Sequence, residues 1–216
     1  GIRDYKVTGV QTCALPISNA AELFINGVHH GTFRHEQGNA QLNPEVAYML
    51  DVAYEFQAEK VNVSVAGYAH YFSNYIFLRA SSRYSELSDG GQVYMYSEDK
   101  AMFSGGEVKG EWKLNSRTNV IWTAQSVFSY LFTSGTSSPF TPPISSSLNL
   151  QHKLFDWKIK LVVQLEVQGN WAAAQNRVDR NEKKTPGYET MDTRVVLEWK
   201  WRKMILESNI GASNLF

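Results

Sequence analysis

The chain has 216 residues, 13% aromatic side chains, a single cysteine and a formal net charge of zero. A chain of this length can form one domain, and its balanced charge gives no reason to expect a nucleic-acid partner. No window approaches the ~18 consecutive apolar residues that a membrane-spanning helix needs, so only a β-barrel could cross a membrane here.

The first segment, from Gly1 to about Ser18, matches neither a secretory signal nor the start of a recognisable fold. Its back-translation reproduces a common sequencing-library adapter, and we therefore interpret residues 1–18 as translated adapter with no fold. Cys13 lies in this segment. The remaining sequence has no cysteine and therefore offers no disulfide or thiol chemistry.

From Val46 onward, apolar and polar side chains alternate with a period of two, which indicates β-strands. The clearest run extends from Trp157 to Asn170, with apolar side chains on one face and charged or amide side chains on the other. We count about eight such strands, and several reach the ~9 to 11 residues needed to cross a bilayer at a tilt. The predicted fold is an all-β, antiparallel transmembrane β-barrel, incomplete, with about eight long meander strands.

The connections between these strands alternate between short and long. Short links are predicted near Ala58-Glu59, Asn115-Ser116-Arg117, Phe155-Asp156 and Arg202-Lys203, and long ones over residues 19–44, 78–91, 133–146 and 173–187. Outer-membrane barrels have short periplasmic turns at one rim and long extracellular loops at the other. This rhythm favours a barrel over a soluble β-sandwich lectin, which has no reason to alternate its connections.

The first long loop carries a specific motif. The stretch from Glu22 to Thr32, followed by Glu36-Gln37-Gly38-Asn39, Leu42 and Pro44-Glu45, resembles TonB-dependent outer-membrane receptors. Weaker matches, including Pro139-Phe140-Thr141-Pro142-Pro143 and Asn214-Leu215-Phe216, keep the order found in that family. The resemblance implies that residues 19–216 are part of the receptor barrel, truncated at both ends and without the plug domain.

The resemblance also implies a function. It implies energy-coupled uptake of a scarce nutrient across the bacterial outer membrane, most simply a metal or a metal complex such as an iron–siderophore, haem or zinc. The implied partners are the TonB energy-coupling complex, acting through the missing plug domain, an extracellular ligand and outer-membrane lipid, with the receptor as a monomer. No enzymatic activity and no resident cofactor are expected. A passive porin and a barrel enzyme stay open as alternatives.

Candidate site residues fall into two groups. The ligand-binding candidates of the first long loop are His29, His30, Arg34, His35 and Glu36. Imidazole suits zinc, copper or haem iron, so His29, His30 and His35 are predicted metal ligands, unless these histidines simply pack the loop. His70, Glu166 and Arg194 lie on the polar row that is predicted to face the barrel lumen, where a passing ligand could touch them.

Overall fold

The structure is a computed structural model that describes residues 4–14, 19–157, 161–201 and 204–215. Almost every regular element in these ranges is a β-strand. The elements within these ranges are β1 (Asp4–Ala14), α1 (Ala20–Phe24), β2 (Asn26–His29), β3 (Arg34–Gln37), β4 (Ala47–Gln57), β5 (Val61–Tyr84), β6 (Gln92–Lys113), β7 (Thr118–Leu131), β8 (Ser145–Trp157), β9 (Leu161–Ala172), β10 (Tyr188–Trp201) and β11 (Met204–Ala212). None of the described residues belongs to a helix long and apolar enough to span a membrane. The all-β prediction is confirmed.

The strands from β4 to β11 form a continuous antiparallel meander in which each strand pairs with the next. Short links at residues 58–60 and 114–117 lie at one rim, and long links at 132–144 and 173–187 lie at the other. The turn predicted at Phe155-Asp156 is wrong, because β8 continues to Trp157. A register shift between Lys153 and Phe155 interrupts the alternation of apolar and polar side chains there. The sequence pattern therefore looks as if the strand ended at this point. The turn predicted at Arg202-Lys203 lies outside the described residues.

The first segment, residues 1–18, was expected to have no fold, but it contains a β-strand. Residues 4–14 form β1, which pairs antiparallel with β4 from Asp4 opposite Gln57 to Ala14 opposite Ala47. The edge of β4 presents unpaired backbone amide and carbonyl groups, and any adjacent extended segment can pair with them. Such pairing uses the backbone rather than particular side chains. It therefore leaves untested the interpretation of the segment as translated adapter.

The sheet has one apolar face and one polar face, as expected of a barrel wall. Large apolar side chains alternate along the outward face of β4 and are exposed there: Tyr48, Leu50, Val52 and Tyr54. The opposite face of the sheet carries neighbouring polar residues, such as Gln151 beside Glu166 and Glu166 beside Arg194. Lipid outside and a polar lumen inside require this arrangement.

β5 and β6 are longer than the sequence predicts, with 24 and 22 residues. The pairing of β6 with β7 ends at Ala101 opposite Leu131, whereas β5 and β6 stay paired as far as Tyr84 opposite Gln92. The loop predicted over 78–91 is therefore wrong in its start, because the connection covers only residues 85–91. Residues 73–100 protrude beyond the rest of the sheet at the long-loop rim, and we call them the outer hairpin.

Candidate functional site

Residues 19–46 cover one face of the outer hairpin. The Glu45 carboxylate accepts a hydrogen bond of 2.7 Å from the backbone amide of Ile76. Glu98 accepts two more from Asn43, one from its backbone amide at 2.7 Å and one from its side-chain amide at 2.8 Å. β3 adds itself to the free edge of β6 as a parallel strand, with His35 opposite Val93. Burial raises the pKa of the Glu45 carboxyl, although the bond from the Ile76 amide opposes that effect.

A buried ion pair holds the two long loops to the other face of the outer hairpin. Arg79 Nε donates to Asp179 Oδ2 at 2.7 Å, and Arg79 Nη2 donates to Ser134 Oγ at 2.8 Å. The Thr136 hydroxyl donates to Asp179 Oδ1 at 2.7 Å. Only 1% of the Asp179 side chain is exposed. These four residues, Arg79, Ser134, Thr136 and Asp179, form what we call the loop latch.

A second carboxylate anchors the start of the loop at 132–144. Asp99 accepts hydrogen bonds from the backbone amides of Thr133 at 2.9 Å and Ser134 at 3.0 Å, and from the Ser134 hydroxyl at 2.8 Å. Burial alone would raise the pKa of Asp99, but these hydrogen bonds outweigh burial and hold it below its ordinary value. The carboxylate therefore stays ionised at neutral pH and fixes the loop to β6.

The structure separates the predicted metal ligands. His29 and His30 are exposed at the turn between β2 and β3, and His29 Nδ1 lies 3.3 Å from the Thr32 hydroxyl. His35 is buried instead, with Nδ1 2.8 Å from Ser85 Oγ and Nε2 2.8 Å from Asn26 Oδ1. No group of three His, Cys, Asp or Glu side chains that could hold a metal ion occurs among the described residues.

This geometry corrects the expectation of a three-histidine cluster. Both ring nitrogens of His35 are engaged by neighbouring side chains, so the ring packs β3 against the outer hairpin and has no nitrogen free for a metal. Glu36, next to it in β3, is half-buried. A metal-binding role for His29 and His30, which are exposed, stays a prediction.

Arg34 lies where three segments of the outer rim meet. Its guanidinium carbon is 4.9 Å from the centre of the Tyr94 ring and 4.7 Å from the centre of the Phe140 ring. The backbone amide of Phe140 donates to Glu182 Oε1 at 2.9 Å. Phe140 has a φ of +59°, a left-handed conformation that a bulky residue keeps only when its surroundings fix it. Arg34 therefore joins the first long loop directly to the loop at 132–144, and through Phe140 to the loop at 173–187.

The lumen candidates do not form one site. Glu166 accepts from Arg194 Nε at 3.0 Å, with a second bond from the Arg194 guanidinium, and also accepts from Gln164 at 2.8 Å. His70 lies on β5, with its Nε2 3.0 Å from Asp51 Oδ1 on β4. Strands β6 to β8 separate the two pairs. Each candidate thus already has a partner on a neighbouring strand.

The loop latch and Asp99 were missed by sequence reasoning. Arg79 and Asp179 are 100 positions apart, and Asp99 is 35 positions from Ser134. No pattern within a short stretch of sequence predicts contacts between residues so far apart in the chain. The one available signal is the placement of lone charged residues inside otherwise apolar or small-residue stretches, such as Arg79 after Phe77-Leu78.

The meander, its apolar outer face and its clamped outer loops together define an outer-membrane β-barrel of the receptor type. Residues 12–215 match the family model described as TonB dependent receptor-like, beta-barrel, so the chain belongs to that family. Barrels of this family lie in the outer membrane of Gram-negative bacteria, and its members are transport receptors rather than enzymes.

Solved structures share the fold at low sequence identity. The copper transporter OprC superposes with a TM-score of 0.78 and 16% identity, over 98% of this chain and 31% of that chain. The siderophore receptor PirA from Acinetobacter baumannii gives 0.63 and 16%, over 98% and 34%. A mutant of the ferric enterobactin receptor PfeA from Pseudomonas aeruginosa gives 0.66 and 16%, over 98% and 32%. The chain thus spans about a third of the length of these structures. No curated protein matches it.

Proposed function

We propose that the protein is an outer-membrane receptor for energy-coupled uptake of a metal complex. The observation that supports this most directly is the clamped outer hairpin. Residues 19–46 cover one of its faces and the loop latch fixes two further loops to the other. An outer rim held in this way is suited to bind a ligand from outside, because little ordering has to accompany binding.

The exposed imidazoles indicate the kind of ligand. His29 and His30 together offer two nitrogen ligands to a metal. Among the described residues, no carboxylate, thiolate or further imidazole lies beside them to act as a third ligand. A naked ion such as zinc takes four ligands, so two exposed donors hold it poorly. A metal that arrives within its own chelator needs only one or two contacts from the receptor. The cargo is therefore a metal complex, with Arg34 close by for a negatively charged chelator.

Family membership and structural likeness support the rest of the proposal. The structural neighbours include a copper transporter and receptors for siderophores and ferric enterobactin. The partner that supplies energy is the TonB complex, acting through a plug domain, with the receptor as a monomer. A passive porin would have no need for loops clamped by buried carboxylates, and the receptor family does not fit an enzyme.

Uptake measurements test this proposal. In a strain that depends on this receptor, His29→Ala/His30→Ala should raise the half-saturating concentration of a labelled metal complex about tenfold, the loss of roughly 1.4 kcal/mol of binding. His152→Ala is the matched control, because that ring lies 3.0 Å from the Thr118 hydroxyl close to the short-turn rim. Unchanged uptake in the double variant would contradict the histidine contact. Uptake that persists after the proton gradient is dissipated would identify a porin instead.

A further inference from the structure

The lipid face of the sheet carries an aromatic belt at its outer end. Tyr48, Tyr71 and Tyr130 lie in one row across β4, β5 and β7, with Met102 of β6 between the last two. The ring centres of Tyr48 and Tyr71 are 6.3 Å apart, and Phe132 lies 6.2 Å from Tyr71 and 5.3 Å from Tyr130. We call Tyr48, Tyr71, Tyr130 and Phe132 the outer belt.

The position of the outer belt relative to the membrane follows from strand length. The run of β4 from the short-turn end at Gln57 to Tyr48 contains about ten residues. A tilted strand needs ~9 to 11 residues to cross a bilayer. Aromatic rings at that height lie at the boundary between acyl chains and headgroups. The outer belt therefore marks the outer interface of the membrane.

Two cations lie at this boundary on the lipid side. Lys100 is exposed and two residues before Met102 on β6, so it shares the lipid face and stands just above the outer belt. Arg177, from the loop at 173–187, has its guanidinium carbon 4.1 Å from the centre of the Phe128 ring. Phe128 is two residues before Tyr130 on that same face of β7.

Within the part of the chain that the structure describes, neither Lys100 nor Arg177 forms an ion pair with a carboxylate. The next acidic residue on that face of β6, Glu98, is engaged by Asn43. Among the described residues, the guanidinium of Arg177 donates a single, long bond of 3.5 Å to the Val127 carbonyl oxygen. Positive charge without a direct ion-pair partner at an apolar surface attracts an anion from the surroundings.

We propose that Lys100, Arg177 and the outer belt form a binding site for a phosphate-bearing lipid of the outer leaflet. The guanidinium can donate two parallel hydrogen bonds to a phosphate while its stem covers the Phe128 ring. The ammonium of Lys100 attracts a second phosphate, and the acyl chains run down the exposed aromatic and aliphatic face. The site rests on membership of the barrel family and is independent of the proposed cargo.

Lipid binding to the purified outer-membrane protein that carries this chain tests the site. The ligand is a diphosphorylated glycolipid in detergent, followed by native mass spectrometry and by intrinsic fluorescence. Lys100→Gln/Arg177→Gln should weaken binding about tenfold, because both phosphate contacts are lost. Lys183→Gln/Lys184→Gln removes the same charge from exposed positions of the same loop and should change binding less than twofold.

Three further results decide the interpretation. Arg177→Lys should keep most of the affinity, which separates loss of charge from misfolding. The dephosphorylated lipid should bind weakly and equally to the wild-type protein and the double variant. Inorganic phosphate at the same concentration should not compete. Equal weakening in the two double variants, or full competition by inorganic phosphate, would overturn the assignment of a lipid site.

Discussion

Replacement of Arg79 by methionine tests whether the loop latch holds the outer loops in place. The change leaves the Asp179 carboxylate almost fully buried, with the Thr136 hydroxyl as its remaining side-chain partner in the latch. Removing one partner of a buried ion pair costs about 3–5 kcal/mol. Arg79 itself keeps 21% of its side chain exposed, so screening by water favours the lower end of that range.

The cost should appear locally rather than as unfolding of the barrel, because the strand pairs do not depend on the latch. About 3 kcal/mol corresponds to a rise of roughly a hundredfold in the exchange of loop amides between 175 and 185. Hydrogen exchange followed by mass spectrometry measures this change directly. Arg180→Met is the control, since Arg180 is exposed and donates a single bond of 3.3 Å to the Ser134 carbonyl oxygen. Equal exchange in the two variants would refute the role of the latch.

Two further predictions concern the rim and the wall. Because hydrogen bonds hold the pKa of Asp99 below its ordinary 3.8, the attachment of Thr133 and Ser134 is at full strength above that pH. It should be lost only as the pH falls through the lowered value, and their amide exchange, corrected for intrinsic rates, should show this. Asp99→Asn should abolish the pH dependence. In the wall, Gly105→Ala brings a methyl group against the Ser126 carbonyl oxygen, whereas Gly169→Ala meets nothing within 4 Å. Only the first should lower thermal stability, by about 1–3 kcal/mol, and equal melting of both would contradict the close strand contact.

The sequence predicts the strands within the membrane well because lipid and lumen impose opposite demands on alternate residues. Along β4 the apolar row from Tyr48 to Tyr54 faces outward and is exposed. A two-residue period follows from that geometry without knowledge of neighbouring strands. The eight strands from β4 to β11 and the loop at 173–187 are therefore predicted, although β5, β6 and β8 extend further than the pattern indicates.

The outer hairpin was not predicted because protein covers both of its faces. Residues from Leu78 to Arg83 show no sustained alternation of apolar and polar side chains. The loop at 173–187 packs on this stretch, with Asp179 bound to Arg79 and the Asn181 side chain donating to the Ala80 carbonyl oxygen. The side-chain contacts of His35 could not be predicted for a similar reason. Asn26 and Ser85 lie 9 and 50 positions away, and they come together only when β3 docks on β6. Such contacts depend on the register of distant segments, which a single sequence does not encode locally.

Above the membrane, the same sheet is stabilised by different contacts. Lipid no longer covers its apolar face, so the outer hairpin is stable only when loops satisfy its backbone edges and bury its side chains. The buried polar side chains of Asp99, Asp179 and His35 serve that purpose. Residues that remain exposed after this packing, such as His29 and His30, are the ones available to a ligand. Burial therefore decides which histidines of the loop motif stay accessible, and ligand binding by His29 and His30 remains a prediction.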